Sequence, residues 1–266
     1  LAGAVDLPVY AGCEQPIMRP LHTAEFICGQ DGLAGMALPE PGRPPEIQHA
    51  VNAIIDLLRQ SKAPLTVCAL GPLTNIAMVL TLAPDLASKI DRLLIMGGAR
   101  DLGNITAAAE FNFFVDPHAA AIVFNAGIPI TLFPLNATYQ AVASAERLSD
   151  LDATAPIQSQ VLSMLQRDRA GGAALGGDKG HPMHDPCVIA YLLWPDLFEG
   201  RDCHVSIETA EGATVGRSTI DWWGRSAEPA NAHVIGAMDA DQMFAGIAAS
   251  LRSLDKSLVS DQKAIS

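Results

Sequence analysis

Several features that would assign the chain to a special class of protein are missing from its 266 residues. No run of 18 or more apolar residues is present, so the sequence predicts no membrane-spanning helix. No charged segment followed by an apolar stretch opens it, and we therefore expect no secretion signal. Lysine and arginine number 17 against 29 aspartates and glutamates, and they form no basic stripe. A nucleic-acid partner is accordingly not expected.

Cysteine is also scarce, and its five positions are scattered along the chain. They form no CxxC pair and show no zinc-binding spacing. An odd, dispersed set of cysteines in a chain of this size is typical of reduced thiols, which predicts a cytoplasmic protein. The five positions are Cys13, Cys28, Cys68, Cys187 and Cys203.

What the sequence does contain is an alternation of apolar runs and helical patterns. Hydrophobic residues make up 49% of the chain, which is ample for a buried core and argues against disorder. The apolar runs predict strands at Leu7–Ala11, Pro64–Leu70, Leu93–Met96, Ile128–Pro134 and Ala232–Met238. The helical patterns predict helices at His49–Gln60, Thr74–Leu82, Pro117–Asn125, Pro186–Leu193 and Ala240–Leu251, with a frayed tail after Leu254.

Strands that are apolar throughout and separated by helices predict an α/β fold, a mostly parallel open sheet with helices on both faces. No repeat and no linker divides the chain, so a single domain is expected over residues 1–266. Ligand sites of such sheets lie at the carboxyl ends of the strands. The residues that follow each predicted strand are therefore the first candidates for a functional site.

The most informative stretch begins with LIMGG at residues 94–98 and continues with GNITAAAEFN at residues 103–112. The two glycines at the end of the strand allow a ligand to approach the backbone closely. Asn104, Glu110 and Asn112 then offer both hydrogen-bond donors and acceptors, which suit a polyhydroxy ligand. The alternative interpretation is a solvated loop, because asparagines are common turn formers.

A second motif, HDPC at residues 184–187, stands at the start of a predicted helix. Asp185 is expected to be the N-cap of that helix, as Asp116 is for the helix that begins at Pro117. A capping carboxylate still has a second oxygen, and calcium binds several oxygen ligands. His184 is either a half-buried histidine with satisfied hydrogen bonds or a group suited to proton transfer near neutral pH.

A third stretch, LGPLTNIA at residues 70–77, turns a predicted strand into a predicted helix. It exposes the carbonyl of Leu70 at the end of the strand. On structural grounds alone, this stretch is a tight connection between a strand and a helix.

Taken in order, the three stretches resemble the nucleoside hydrolase family, also called inosine-uridine-preferring nucleoside hydrolases. The resemblance runs from about Pro8 to Phe244 and includes LPVYAG at residues 7–12 and GQDGL at residues 29–33. It implies a Rossmann-like α/β fold and calcium-dependent hydrolysis of the N-glycosidic bond of ribonucleosides, as in purine and pyrimidine salvage. A small-molecule nucleoside is then the substrate, and a homo-oligomer is expected because such assemblies are common in the family.

The resemblance also implies which residues hold the sugar. In the family the loop asparagines and glutamate hold the ribose hydroxyls, which implies this role for Asn104, Glu110 and Asn112. The methionine of the MGG turn lies against the ribose, which implies the same for Met96. Oxygen atoms around the sugar would favour the positive charge that develops on the ribose as the bond breaks.

Calcium is the cofactor that the resemblance implies. The aspartate of the HDP motif and the carbonyl before the GPLTN turn are ligands in the family, which implies Asp185 and Leu70. Such an ion would hold two ribose hydroxyls and lower the pKa of a bound water. In some members the histidine of the HDP motif helps to protonate the leaving base, which implies a catalytic role for His184.

The sequence departs from the family pattern most clearly at its beginning. The family's DxDPGxDDA motif, whose aspartates supply most calcium carboxylates and the general base, is absent. The two remaining ligands fall short of the roughly 6–8 oxygens that calcium prefers, so the chain as written should bind calcium poorly. The chain also opens at Leu1 in what reads as the middle of a fold, which predicts a fragment of a longer enzyme lacking its N-terminal strand unit.

Smaller departures concern the surroundings of the ligand. Cys28 stands where many members carry a histidine, and Asn136 lies in LNATY, residues 135–139, where LDVTH is common. The segment Leu175–Pro182 lacks the tyrosine and arginine that some members place over the base, and its glycines predict a mobile flap. The preference for one base over another is therefore not implied.

The sequence leaves three functions open. The first is a nucleoside N-ribohydrolase, and the second is a relative that binds nucleosides or ribose without catalysis because its metal site is lost. The third is a different hydrolase or a dinucleotide-binding protein. The third is disfavoured, because no GxGxxG follows a strand and no GxSxG elbow is present.

Overall fold

A computed structural model describes residues 6–25, 29–30, 32, 36, 38, 41–171 and 180–265, with the backbone alone at 166–171 and 259–265. The helices are α1 (Ala50–Gln60), α2 (Thr74–Leu82), α3 (Phe111–Val115), α4 (Pro117–Phe124), α5 (Leu135–Thr138), α6 (Pro156–Gly171), α7 (His184–Leu193) and α8 (Ala240–Ile265). The strands are β1 (Leu65–Ala69), β2 (Ile90–Met96), β3 (Ile130–Phe133), β4 (Val142–Ala143), β5 (His181–Pro182), β6 (Phe198–Cys203), β7 (Val205–Ile207), β8 (Ser218–Ile220) and β9 (Ala232–Met238).

The central sheet has five strands in the order β1-β2-β3-β9-β6. The first four are parallel to one another, and β6 pairs with β9 in the antiparallel direction. Parallel neighbours cannot be joined by a hairpin, and the chain crosses between them through helices such as α2 and α4. The mostly parallel α/β sheet predicted from the sequence is confirmed.

The two faces of the sheet belong to two separate hydrophobic clusters. Side chains alternate along a strand, so Leu93 and Ile95 of β2 pack on one face, and Leu94 and Met96 on the other. The first face is covered by α1, α2 and α4, and the second by α7 and α8. Burial on both faces explains why these strands are continuous apolar runs.

Asp116 begins α4 as predicted, and its carboxylate also connects three parts of the chain. Oδ1 accepts the backbone N–H of Ala119 at 3.0 Å, and Pro117 occupies the first helical position. Oδ2 accepts the hydroxyl of Thr74 at 2.7 Å and the backbone N–H of Ile17 at 2.9 Å. This buried carboxylate therefore fastens α2 and the N-terminal segment to the start of α4.

The strand predicted at Leu7–Ala11 is not formed. Tyr10 makes a single parallel bridge with Glu46, and no ladder extends from it in the described ranges. Leu7 and Val9 are 68% and 63% exposed, so the apolar alternation of this stretch is not buried in a sheet.

Two helices differ at their ends from the prediction. The N-cap of α7 is Met183, and Asp185 lies in the first helical turn instead of capping it. Pro186 is compatible with this start, because the first N–H groups of a helix have no intrahelical acceptor. The prediction of a frayed tail after Leu254 is also wrong. The helix α8 continues to Ile265, and its residues 255–265 include no glycine or proline.

None of the helices described here is long and apolar enough to cross a membrane.

Candidate active site

A cavity of about 600 Å³ opens where β1 and β2 end. Its size is within the range of small-molecule sites, and its walls come from the strand ends, the loop after β2, α6, β5 and α7. The structure brings together at this cavity all seven residues that the sequence singled out. They are Leu70, Met96, Asn104, Glu110, Asn112, His184 and Asp185.

Two asparagines present complementary groups to the cavity. The Asn112 amide donates to the Met96 carbonyl at 3.0 Å and lies 3.5 Å from the Leu70 carbonyl. Its Oδ1 has no partner among the described residues. Asn104 Oδ1 accepts the backbone N–H of Phe111 at 2.9 Å, which leaves Nδ2 without a partner in that part of the chain. The pair thus offers one acceptor and one donor, a combination suited to a diol.

Glu110 holds the loop and the glycine turn together. Its side chain is 2% exposed, and Oε1 accepts the backbone N–H of Asn112 at 2.9 Å. Oε2 accepts the N–H of Gly98 at 2.9 Å and of Phe113 at 3.3 Å, so Glu110 is also the N-cap of α3. Burial raises the pKa of this carboxyl to about 7, against the opposing effect of the backbone N–H groups. The sequence carried no sign of this anchoring role, because it depends on a contact between two loops.

His184 is positioned by two residues at the end of α5, Thr138 within the helix and Tyr139 as its C-cap. Its Nδ1 lies 2.7 Å from the Thr138 hydroxyl, and its ring packs edge to face against Tyr139 at 5.3 Å between centroids. Burial, together with the nearby His181, lowers the pKa of His184 to about 4. The imidazole is therefore uncharged at neutral pH and offers one N–H donor. Thr138 and His181 were not identified as site residues from the sequence.

The oxygen donors expected for a metal lie at the same cavity. Asp185 is exposed there, its carboxylate has no hydrogen-bonding partner among the described residues, and partial desolvation raises its pKa. The Leu70 carbonyl stands at the end of β1. Within the described ranges, no three His, Cys, Asp or Glu side chains lie close enough together to hold a metal.

One wall of the cavity is apolar and comes from α6, a helix that was not predicted. Val161, Met164 and Leu165 line the cavity from this helix. Their spacing, with Ile157 one turn earlier, is that of an amphipathic helix and was a usable signal. An apolar wall beside the polar asparagines suits a ligand with a polar part and a flat, less polar part.

Two sequence features fall outside the described residues in whole or in part. Cys28 lies outside them. Of the segment Leu175–Pro182, only Gly180, His181 and Pro182 are described, and His181 and Pro182 line the cavity.

The chain is thus an α/β protein with a cavity at the strand ends, polar on the side of the two asparagines and apolar on the side of α6. The model of the family "Inosine-uridine preferring nucleoside hydrolase" matches residues 1–245. The chain belongs to this enzyme family, which confirms the resemblance seen in the motifs.

Individual proteins and solved structures are also similar to this chain. The chain is 43% identical over 241 residues to the pyrimidine-specific ribonucleoside hydrolase RihA of Shewanella sp. strain ANA-3, covering 88% of this chain and 74% of the relative. It is 41% identical over 247 residues to an uncharacterized protein of Schizosaccharomyces pombe, covering 92% and 80%. Among solved structures, a purine-preferring ribonucleoside hydrolase from Gardnerella vaginalis matches with a TM-score of 0.87 at 26% identity, covering 96% and 83%.

Proposed function

We propose that this protein hydrolyses the N-glycosidic bond of ribonucleosides, releasing ribose and the free base, in the cavity at the ends of β1 and β2. The observation that carries the proposal is the pairing of Asn104 and Asn112. One has an unpartnered donor and the other an unpartnered acceptor, at the same cavity, among the described residues. A vicinal diol such as the ribose 2′- and 3′-hydroxyls can bind such a pair, because each hydroxyl both donates and accepts hydrogen bonds.

The polar side of the cavity would also assist bond breaking. Cleavage of the N-glycosidic bond develops positive charge on the ribose, and oxygens fixed beside the sugar favour that charge. Asn112 supplies an amide oxygen, and Asp185 supplies a carboxylate without a described partner. The Glu110 carboxylate is held in place by three backbone N–H groups, so it needs no rearrangement when the charge develops.

The less polar side of the cavity would hold the base. Val161, Met164 and Leu165 offer a surface against which a flat heterocycle can pack. His184, uncharged at neutral pH, has one N–H to give to a nitrogen or oxygen of the leaving base. A hydrogen bond that strengthens as the base takes up electrons would ease its departure.

Calcium is part of the proposal, and Asp185 and Leu70 are the residues that would bind it. A carboxylate and a backbone carbonyl are the types of ligand that calcium takes, but two are fewer than the roughly 6–8 it prefers. The fit is therefore right in kind and incomplete in number within the described residues. When bound, the ion would supply Lewis acidity next to the ribose hydroxyls and a bound water.

The named relatives support pyrimidine ribonucleosides as substrates. The relative called pyrimidine-specific shares 43% of its residues with this chain over the aligned region, whereas the structure called purine-preferring shares 26%. Uridine and cytidine are therefore expected to be hydrolysed faster than inosine.

Release of reducing sugar from uridine, cytidine and inosine tests the proposal directly. Because two described ligands would bind calcium weakly, ribose should appear with uridine and cytidine when calcium is in excess, and a calcium chelator should abolish the reaction. Activity that persists in the chelator would contradict the calcium part alone. Binding of the nucleoside without ribose release would identify a non-catalytic binding protein and overturn the proposal.

A further inference from the structure

The hydroxyl of Thr138 is buried beside His184. Thr138 is the last residue of α5 and has no exposed surface, and its Oγ1 lies 2.7 Å from His184 Nδ1. A threonine hydroxyl has one proton to donate, and burying such a donor without an acceptor destabilises the fold. If His184 Nδ1 accepts this proton, Nδ1 itself carries none, so the hydrogen-bonding partner of the Thr138 hydroxyl sets the tautomer of His184.

The neighbouring acceptor that a helical threonine often uses is otherwise engaged. The carbonyl of Pro134, four residues earlier, accepts the backbone N–H groups of Ala137 at 2.9 Å and Thr138 at 3.1 Å. Within the described chain, the one side-chain hydrogen bond of the Thr138 hydroxyl is the one to His184. Thr138 thus donates to Nδ1, which must then be the ring nitrogen without a proton.

We propose that Thr138 is a positioning residue that holds His184 in the tautomer with its proton on Nε2. Nε2 has no hydrogen-bonding partner among the described residues and is not a buried, unpartnered atom, while His184 lines the cavity. The histidine consequently presents an N–H donor to a ligand. Use of that donor for the leaving base rests on the proposed function, whereas the tautomer itself does not.

Tyr139 restricts the same ring from a second direction. Its ring meets that of His184 edge to face, with 73° between the planes. A flip of the imidazole would take Nδ1 away from Thr138 and leave the buried hydroxyl without an acceptor. The consecutive residues Thr138 and Tyr139 therefore fix both the proton and the ring orientation of His184.

Nitrogen NMR of protein labelled at the histidine ring nitrogens measures the tautomer without substrate or metal. A His184→Asn variant identifies the His184 signals. In the unsubstituted protein at neutral pH, the signals should be those of a neutral ring protonated at Nε2. A ring protonated at Nδ1, or at both nitrogens, would overturn the proposal without any need for a Thr138 variant.

Two substitutions then test the cause. Thr138→Val keeps the shape but removes the hydroxyl, so a mixture of tautomers is expected. Thr138→Ser keeps the hydroxyl and should keep the Nε2–H form. An unchanged spectrum in folded Thr138→Val would contradict the role of Thr138, and loss of the Nε2–H form in folded Thr138→Ser would do the same.

Turnover is the independent readout. If the protein is a ribonucleoside hydrolase, Thr138→Val should lower kcat by about tenfold or more with little change in KM, and Thr138→Ser should restore it. An unchanged kcat would contradict a role of this tautomer in turnover. If no nucleoside is hydrolysed by the unsubstituted protein, the proposed function fails while the NMR result still decides the tautomer.

Discussion

Gly98 and Glu110 are joined by a hydrogen bond of 2.9 Å between a backbone N–H and a buried carboxylate, across a loop that separates them by 12 residues. The contact closes the loop on the end of β2. Asn104 lies inside the closed loop and Asn112 directly follows it in α3, so one carboxylate fixes the spacing of the two amides.

Gly98 has a backbone conformation and close neighbours that should not tolerate a side chain. Its φ is +69°, and an added Cβ would lie 2.7 Å from the Ser218 hydroxyl and 2.9 Å from the Phe113 ring. Gly98→Ala should therefore cost about 2–5 kcal/mol of unfolding free energy, from the left-handed backbone and from overpacking together. Gly127 is the matched control, because its φ is +70° but nothing lies within 4 Å of an added Cβ. Gly127→Ala should cost only about 1–2 kcal/mol, measured by urea unfolding. Equal losses would contradict the close packing at Gly98.

The buried carboxyl of Glu110 should make the unfolding free energy depend on pH. Because burial raises its pKa from 4.5 to about 7, the folded protein binds this proton more tightly than the unfolded chain. Stability should fall as pH rises between these values, by about 1–3 kcal/mol from this residue. Glu110→Gln cannot titrate and should lack this part of the slope, while the exposed Glu146→Gln should keep it. The unfolding free energy is measured by urea unfolding at pH 5 and 7.5. An equal change of this free energy with pH in Glu110→Gln and in the unsubstituted protein would contradict the prediction.

Asp255 supports the apolar wall of the cavity from a distance. Its carboxylate accepts the backbone N–H of Ile157 at 2.7 Å and the Gln158 side-chain amide at 2.9 Å, which joins α8 to the start of α6. Asp255→Ala should cost about 1–3 kcal/mol by thermal unfolding, because a buried cap is lost. The exposed Asp150→Ala should have little effect, and a similar loss there would argue against a specific role.

The same carboxylate also responds to acid. Burial alone would raise the pKa of Asp255, but the hydrogen bonds from Ile157 and Gln158 outweigh it and lower the pKa. Its contribution is therefore present above the ordinary value of 3.8 and is lost as pH falls through the lower, folded value. The stability difference between Asp255→Ala and the unsubstituted protein should shrink at the acid end, and a constant difference would contradict this account.

Replacing Asn136 by aspartate should introduce electrostatic repulsion with Asp101. Its Oδ1 accepts the backbone N–H of Arg100 at 2.7 Å, and its Nδ2 donates to the carboxylate of Asp101. Asn136→Asp would keep the acceptor but set two carboxylates side by side, at a cost of about 1 kcal/mol near neutral pH. Added salt should reduce this cost by screening. A loss that is insensitive to salt would point to geometry and not to charge.

Much of the fold could be predicted because its local signals agree with its packing. The bounds of α2 and β9 match the prediction, since Pro72 and Pro84 flank the helix and an apolar run fills the strand. The cap of α7 was misassigned because Asp185-Pro186 has the pattern of a cap followed by proline. Proline is equally compatible with the rest of the first turn, so the pattern does not fix the first residue.

The candidate site also has a part that the sequence predicts and a part that it does not. The seven predicted residues that line the cavity lie at or after strand ends or near the start of a helix, and the strand order of a parallel sheet brings those positions together. The anchoring of Glu110 on Gly98 and the contact of Thr138 with His184 depend on tertiary packing between distant segments. No local pattern specifies such contacts, which is why they emerged only from the structure.

Ribose release from uridine by Asn112→Ala, with Asn125→Ala as control, tests most directly whether the cavity holds the ribose during hydrolysis. Asn112 offers its unpartnered oxygen to the cavity, whereas Asn125 lies exposed at the end of α4. We expect kcat/KM to fall by at least about tenfold, roughly 1.4 kcal/mol of transition-state stabilisation, in Asn112→Ala and to stay unchanged in Asn125→Ala. Equal kcat/KM in folded Asn112→Ala and the unsubstituted protein would show that this cavity does not hold the ribose during hydrolysis.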